Sequence, residues 1–160
     1  MMKQSTLSAW LKTIVIGMAL CGLAVYGIVL PSFGASLTAS YPEFQNRFWP
    51  WLIFLWASGL PCYAVLVLGW LIAGRIGRDR SFTEENARSL KWVAWLAAGD
   101  ACFFFAGNVL LLLLNMSHAG VFLLSLLVVF TGAAIAVAAA ALSHLVGKAA
   151  ALQEQSDLTI

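Results

Sequence analysis

A chain of 160 residues of which 62% are hydrophobic and 10% charged is too apolar for a water-soluble domain, where about 25% charged residues is usual. The mean hydropathy of +0.90 places the chain in lipid, and the length suits one domain. A net charge of +2, with no basic and aromatic patch outside the apolar stretches, argues against direct nucleic-acid binding.

Crossing a hydrocarbon core takes about 20 apolar residues of helix, and four stretches qualify. The first is predicted over residues 13–30 and ends at Pro31. Its apolar run exceeds the about 7–15 residues of a signal core, so it is read as an uncleaved span although Lys3 and Lys12 precede it. An outer loop over residues 31–50 follows, in which Phe44 and Phe48 share one face of a short helix and Glu43 and Arg47 pair on another. With Trp49 and Trp51 beside them, these rings read as an interfacial aromatic belt rather than a lipid- or ligand-sensing lid.

The second span covers residues 51–73, and Arg75 to Lys91 then forms a basic segment. Within it, Ser81-Phe82-Thr83-Glu84 fits a capping box, with Ser81 as N-cap and Glu84 and Glu85 in the dipole-favoured first turn. The third helix is therefore expected to start in water and enter lipid over the third span, residues 92–114. Arg88 and Lys91 would snorkel to anionic headgroups. A short outer turn near Asn115 leads to the fourth span, residues 120–146. There Gly132, Ala136 and Ala140, and less strictly Ala133, Val137 and Ala141, follow the small-xxx-small spacing that lets membrane helices approach closely. With no breaker before Gln153, this helix would run about 33 residues, or ~50 Å, and project with its tail beyond the membrane.

Lys3, Lys12, Arg75, Arg78, Arg80, Arg88, Lys91 and Lys148 all fall on one side of a four-span chain, and Arg47 alone falls on the other. Basic residues stay inside, so the expected architecture is an all-α, integral membrane, up-and-down four-helix bundle with both termini cytoplasmic. Only helices satisfy every backbone group in lipid without a closed barrel.

Cys21, Cys62 and Cys102 all lie in apolar stretches and form no CxxC pair, which argues for packing roles and against disulfides, zinc or thiol redox chemistry. His118 and His144 fall at opposite membrane faces and cannot share a metal. No HExxH, phosphate-binding glycine loop or G-x-S-x-G is present. An enzyme, a metal site and a cofactor are therefore not expected. Asp100 is the acidic residue within a span. An intramembrane carboxylate costs about 2.5–3.5 kcal/mol to insert, so it is a functional candidate. Asn108 lies two turns further on, and Ser125 should reach the same depth if the last two helices pack antiparallel. Asp100, Asn108 and Ser125 form the candidate intramembrane polar site.

The run GRDRSFTEENARSLKWVAW, followed by two apolar spans and the ending LSHLVGKAAALQEQSDLTI, resembles the domain of unknown function 2975 family of small bacterial four-helix membrane proteins. The family's Phe-Thr-x-x-Asn segment is matched by Phe82, Thr83 and Asn86. Its Glu-Asn-Asp-Leu-Thr-Ile tail is matched by Asp157, Leu158, Thr159 and Ile160, with Gln155 and Ser156 departing from the pattern. The resemblance covers about the last 85 residues. It implies no established activity and frequent gene pairing with a small helix-turn-helix regulator.

Two functions follow as expectations. In the first, Phe82, Thr83, Asn86 and the Asp157–Ile160 tail form a cytoplasmic docking surface for a small soluble regulator. In the second, a small proton- or cation-coupled transporter or channel uses Asp100. The lipid bilayer is the surrounding partner in both, and a homo-oligomer is compatible with either.

Overall fold

The computed structural model describes residues 4–117 and 119–157, without the side chains of Glu43, Phe44 and Asp157. Every regular element among them is helical: α1 Gln4–Ala24, α2 Leu30–Ser40, α3 Phe48–Ile76, α4 Glu84–Leu113 and α5 Ala119–Asp157. Four stretches are long and apolar enough to cross a membrane, namely Gln4–Ser40, Gln45–Ile76, Glu84–Leu113 and Ala119–Ser156.

The first of these corrects the expected end at Pro31, because α1 and α2 form one continuous helix through a π turn at Val25–Val29. The Leu30 N–H reaches back five residues to the Val25 carbonyl, which is how a π turn takes up an extra residue. Proline brings no N–H, so the Tyr26 carbonyl cannot receive a bond from Pro31. Instead the Trp56 indole N–H of α3 donates to it at 3.0 Å. The outer loop expected over 31–50 shrinks accordingly to Tyr41 and a 3-10 turn, Pro42–Arg47. Phe48 begins α3 instead of sharing a separate helix with Phe44, and its ring meets Trp49 edge-on at 5.6 Å. Arg47, the base on the far side from the others, donates to the Asn115 carbonyl and ties this turn to the α4–α5 turn.

The α1–α3 contact is sewn by side chains reaching a neighbour's carbonyls. Ser8 Oγ donates to Ala73 O at 2.6 Å, Tyr63 Oη to Ala19 O at 3.0 Å, and Trp56 to Tyr26 O as above. Numbering rises along one helix as it falls along the other. The same holds for α4 and α5, the closest pair: a Cβ at Gly132 would lie 3.2 Å from Ala101, and Ser143 Oγ donates to Ala87 O at 2.7 Å. Ala136, Ala139 and Ala150 are buried along this seam. Of the two small-residue sets expected there, Gly132 and Ala136 lie in the seam, while Ala140, Ala133, Val137 and Ala141 face outward.

Between α3 and α4, Phe54 stacks on Phe104 at 5.5 Å and tilts against Phe103 at 5.3 Å. Among the described residues the backbone of α5 comes close to α4 alone, and α1 does not approach α4 or α5. The bundle is thus an open row in chain order. Large apolar side chains cover its outside, such as Leu60 at 73%, Leu113 at 73% and Phe130 at 71% exposure, as suits a surface meant for lipid.

Two helix ends close in the same way. After α3, Arg80 N–H bonds Arg75 O and Asp79 N–H bonds Ile76 O, with Asp79 at φ 59°. After α4, Met116 N–H bonds Leu111 O and Asn115 N–H bonds Leu112 O, with Asn115 at φ 53°. Both are Schellman closures, with Asp79 and Asn115 in the left-handed position that glycine usually takes. Helix α5 has 39 residues, or ~58 Å at 1.5 Å each, longer than the expected 33 because the helix persists through Gln153–Asp157.

Candidate functional site

The basic segment between α3 and α4 is built around Asn86, whose side chain is 1% exposed. Its Nδ2 donates to Arg80 O at 2.9 Å and to Ser81 O at 3.0 Å. Its Oδ1 accepts from the Arg75 guanidinium at 3.3 Å. Arg75 also donates to Ser89 Oγ at 2.9 Å and pairs with Glu85 through Nε at 3.3 Å. Ser89 in turn donates to Glu85 O at 2.9 Å. One buried amide therefore holds the loop, the end of α3 and the first turn of α4 together, and each of its polar atoms has a partner, as burial requires.

The N-cap of α4 is Thr83, not the expected Ser81. Thr83 is extended, and its Oγ1 accepts from Asn86 N–H at 3.3 Å. The capping box fails because the Asn86 amide already holds the Ser81 carbonyl, which leaves the helix to begin two residues later than a Ser81 cap would start it. Ser81 Oγ lies 3.1 Å from Gln4 Oε1, so the loop also meets the start of α1. Of the matched trio, Thr83 and Asn86 are structural, whereas Phe82 between them is 56% exposed. Helix α5 packs on Ala87 through Ser143 and Gly147 and continues to Asp157. It therefore overhangs the start of α4. Leu158, Thr159 and Ile160, with the Asp157 side chain, lie outside the described residues.

The intramembrane candidates divide into two places. Asp100 of α4 meets Cys62 of α3, whose thiol donates to Oδ2 at 3.7 Å. Its other oxygen, Oδ1, is buried and has no hydrogen-bond partner among the described residues. Asn108 and Ser125 are 5% and 6% exposed. The Asn108 amide donates to Phe104 O at 2.8 Å, and the Ser125 hydroxyl to Phe122 O at 2.7 Å, each within its own helix. At the level between Asp100 and Asn108 lies the Phe54–Phe104 stack, so these polar groups do not form one continuous site. The three cysteines are free and exposed rather than buried, Cys62 at the edge of the α3–α4 contact where it meets Asp100. No group of three or more metal-ligating side chains occurs among the described residues. His118 lies outside them, and His144 is exposed.

Arg75, Ser89 and Cys62 were not singled out from the sequence. Asn86 and Ser89 share one helix face at i,i+3, and Arg75 sits at the end of an apolar run. Cys62 lies 14 residues before the end of α3 at Ile76 and Asp100 lies 16 after the start of α4 at Glu84, which is the signal that two helices joined by a short turn bring them level.

A relative in Bacillus subtilis (strain 168), an uncharacterized membrane protein called YoaS, is 24% identical over 162 residues and is covered end to end, as is this chain. No solved structure matches. The model of the family described as "Protein of unknown function (DUF2975)" matches residues 32–160, which include the Asn86 clasp, both Schellman turns and the α4–α5 seam, and the chain belongs to that family.

Proposed function

We propose that this membrane protein is a non-enzymatic docking platform for a small cytoplasmic regulator of the helix-turn-helix kind. In this reading the helices run up and down through the bacterial inner membrane, with both termini and the 75–91 segment in the cytoplasm. The single observation that carries it is Phe82. A loop clamped at Arg80, Ser81 and Thr83 by Asn86 holds a large aromatic side chain 56% exposed. Among the described residues that ring stacks on no other aromatic ring, and a rigidly presented aromatic is the usual anchor of a protein interface. The overhang of α5 adds a second element outside the membrane on the same side.

The test is co-purification of a small cytoplasmic helix-turn-helix regulator, using full-length chain, Phe82→Ala and a chain lacking Asp157–Ile160 at matched membrane levels. Full-length protein should retain the regulator, and both variants should lose most of it. Retention by all three, or by none, refutes the docking function. Orientation is checked separately by an impermeant thiol reagent on single cysteines in a Cys-free background. Position 115 should label on intact cells, whereas label at position 78 would overturn the arrangement.

The transport reading rests on one observation, the buried and unpartnered Asp100 Oδ1. The stacked Phe54 and Phe104 rings weigh against it, because they separate Asp100 from Asn108. Proton or cation flux in vesicles that disappears in Asp100→Asn would favour transport over docking.

A further inference from the structure

We infer that the outward face of the α4–α5 pair, at the end carrying the basic segment, is a binding site for an anionic phospholipid. A groove of about 790 Å³ runs there, within the size range of ligand sites. It exists because the seam is made of small residues: where Gly147 and Ser143 let α5 approach Ala87, the flanking Ala94, Ala98 and Ala140 fill too little space to close the trough. Lys91 and Lys148 stand on its rim, and Trp95 and His144 form its walls. A second hollow of about 420 Å³ shares Lys91 and Trp95 and adds Arg88 and Trp92.

The chemistry of the groove is graded along its length. Its deep end, between Ala98 and Ala140, is apolar, and its other end carries the cations. No carboxylate lines either hollow, and among the described residues Arg88, Lys91 and Lys148 make no ion pair. A ligand complementary to this gradient has a negative head and an apolar tail. Tryptophans 92 and 95, 59% and 67% exposed, are the side chains favoured at headgroup depth. Basic hollows between membrane helices suit phosphate headgroups. The phosphate would lie between Lys91 and Lys148, with an acyl chain along the alanine floor beneath Trp95.

The test uses full-length protein in detergent, titrated with phosphatidylglycerol or phosphatidylcholine and read by native mass spectrometry and thermal melting. Phosphatidylglycerol should be retained on the order of tenfold better, since each lysine near an anionic surface contributes appreciably to attraction, and it alone should raise the melting temperature. Lys91→Gln with Lys148→Gln should abolish the preference, while Arg78→Gln with Arg80→Gln, outside the groove, should leave it. Ala140→Leu keeps every charge and fills the floor, and should also lose the bound lipid. Equal retention of both lipids, retention in Ala140→Leu, an equal response to inorganic phosphate alone, or a second copy of the chain bound in place of lipid would each overturn the site.

Discussion

Replacing Asn86 tests the clasp most sharply, because removing the amide and merely exchanging its donor for an acceptor should both destabilise the loop. In Asn86→Ala the carbonyls of Arg80 and Ser81 lose their donors, and Arg75 loses one acceptor. Two neutral bonds at about 1 kcal/mol each and one bond to a cation at about 1.5–3 kcal/mol give an expected loss of roughly 3.5–5 kcal/mol. Partial exposure of the loop to water lowers this towards 2–3 kcal/mol, because the carbonyls regain some solvent bonds. Asn86→Asp keeps the acceptor for Arg75 but turns the Nδ2 donor into an oxygen facing two carbonyl oxygens, so it should destabilise despite its shape. Reversible unfolding in mixed micelles with rising dodecyl sulfate, followed by helicity and tryptophan fluorescence, measures both. A double-mutant cycle with Arg75→Gln isolates the Arg75–Asn86 coupling. If Asn86→Asp unfolds with the unaltered chain, or the coupling is indistinguishable from zero, the amide does not hold the loop and the account of the Phe-Thr-x-x-Asn segment fails.

Three further outcomes can be read in the same assay. Trp56→Phe should cost about 1–2 kcal/mol, because it strips the donor from the Tyr26 carbonyl; Pro31→Ala restores a backbone N–H nearby and should shrink that cost, whereas an unchanged cost would refute the link between the proline and the indole. Gly107→Ala should lose about 1–3 kcal/mol, since a Cβ there would sit 2.1 Å from the Phe54 ring and force apart the α3–α4 stack; a neutral result would mean the ring moves freely. Asp79→Gly should gain roughly 0.5–1 kcal/mol by relieving the left-handed backbone at φ 59°, and a loss would point to a role for the carboxylate.

What the sequence made legible follows from which signals are local. The four apolar stretches, the start of α4 near Glu84 and the close approach at Gly132 and Ala136 come from hydropathy, first-turn acids and small-residue spacing. The passage of the helix through Pro31 was not legible, because proline normally ends a helix and the compensating donor, Trp56, is 30 residues from the Tyr26 carbonyl it serves. The N-cap moved from Ser81 to Thr83 because a long-range partner, the Asn86 amide, occupies the Ser81 carbonyl. Asn108 and Ser125 are buried, yet each donates within its own helix, a choice that pattern alone does not determine. Asp100 was visible as a lone carboxylate; its neighbour Cys62 was not, since a thiol in an apolar run has no distinguishing local signal.

The grip of α3 on the first helix has a consequence for how that helix can vary. Tyr63 and Trp56 hold the first helix by its peptide oxygens, at Ala19 of α1 and at Tyr26 of the π turn, while Ser8 and Lys12 are the side chains of α1 that reach α3 in return. Any residue supplies a peptide oxygen, so such a seam is blind to the letters it binds, provided they are apolar and leave room as Gly22 does against the Tyr63 hydroxyl. Recognition runs largely from α3: apart from Ser8 on the Ala73 carbonyl and Lys12 over the Trp70 ring, the polar groups that position the first helix are written in the third. Away from Ser8, Lys12 and Gly22, residues 4–24 are free to drift while their placement stays fixed, and a foreign apolar segment that keeps those three meets the same requirements.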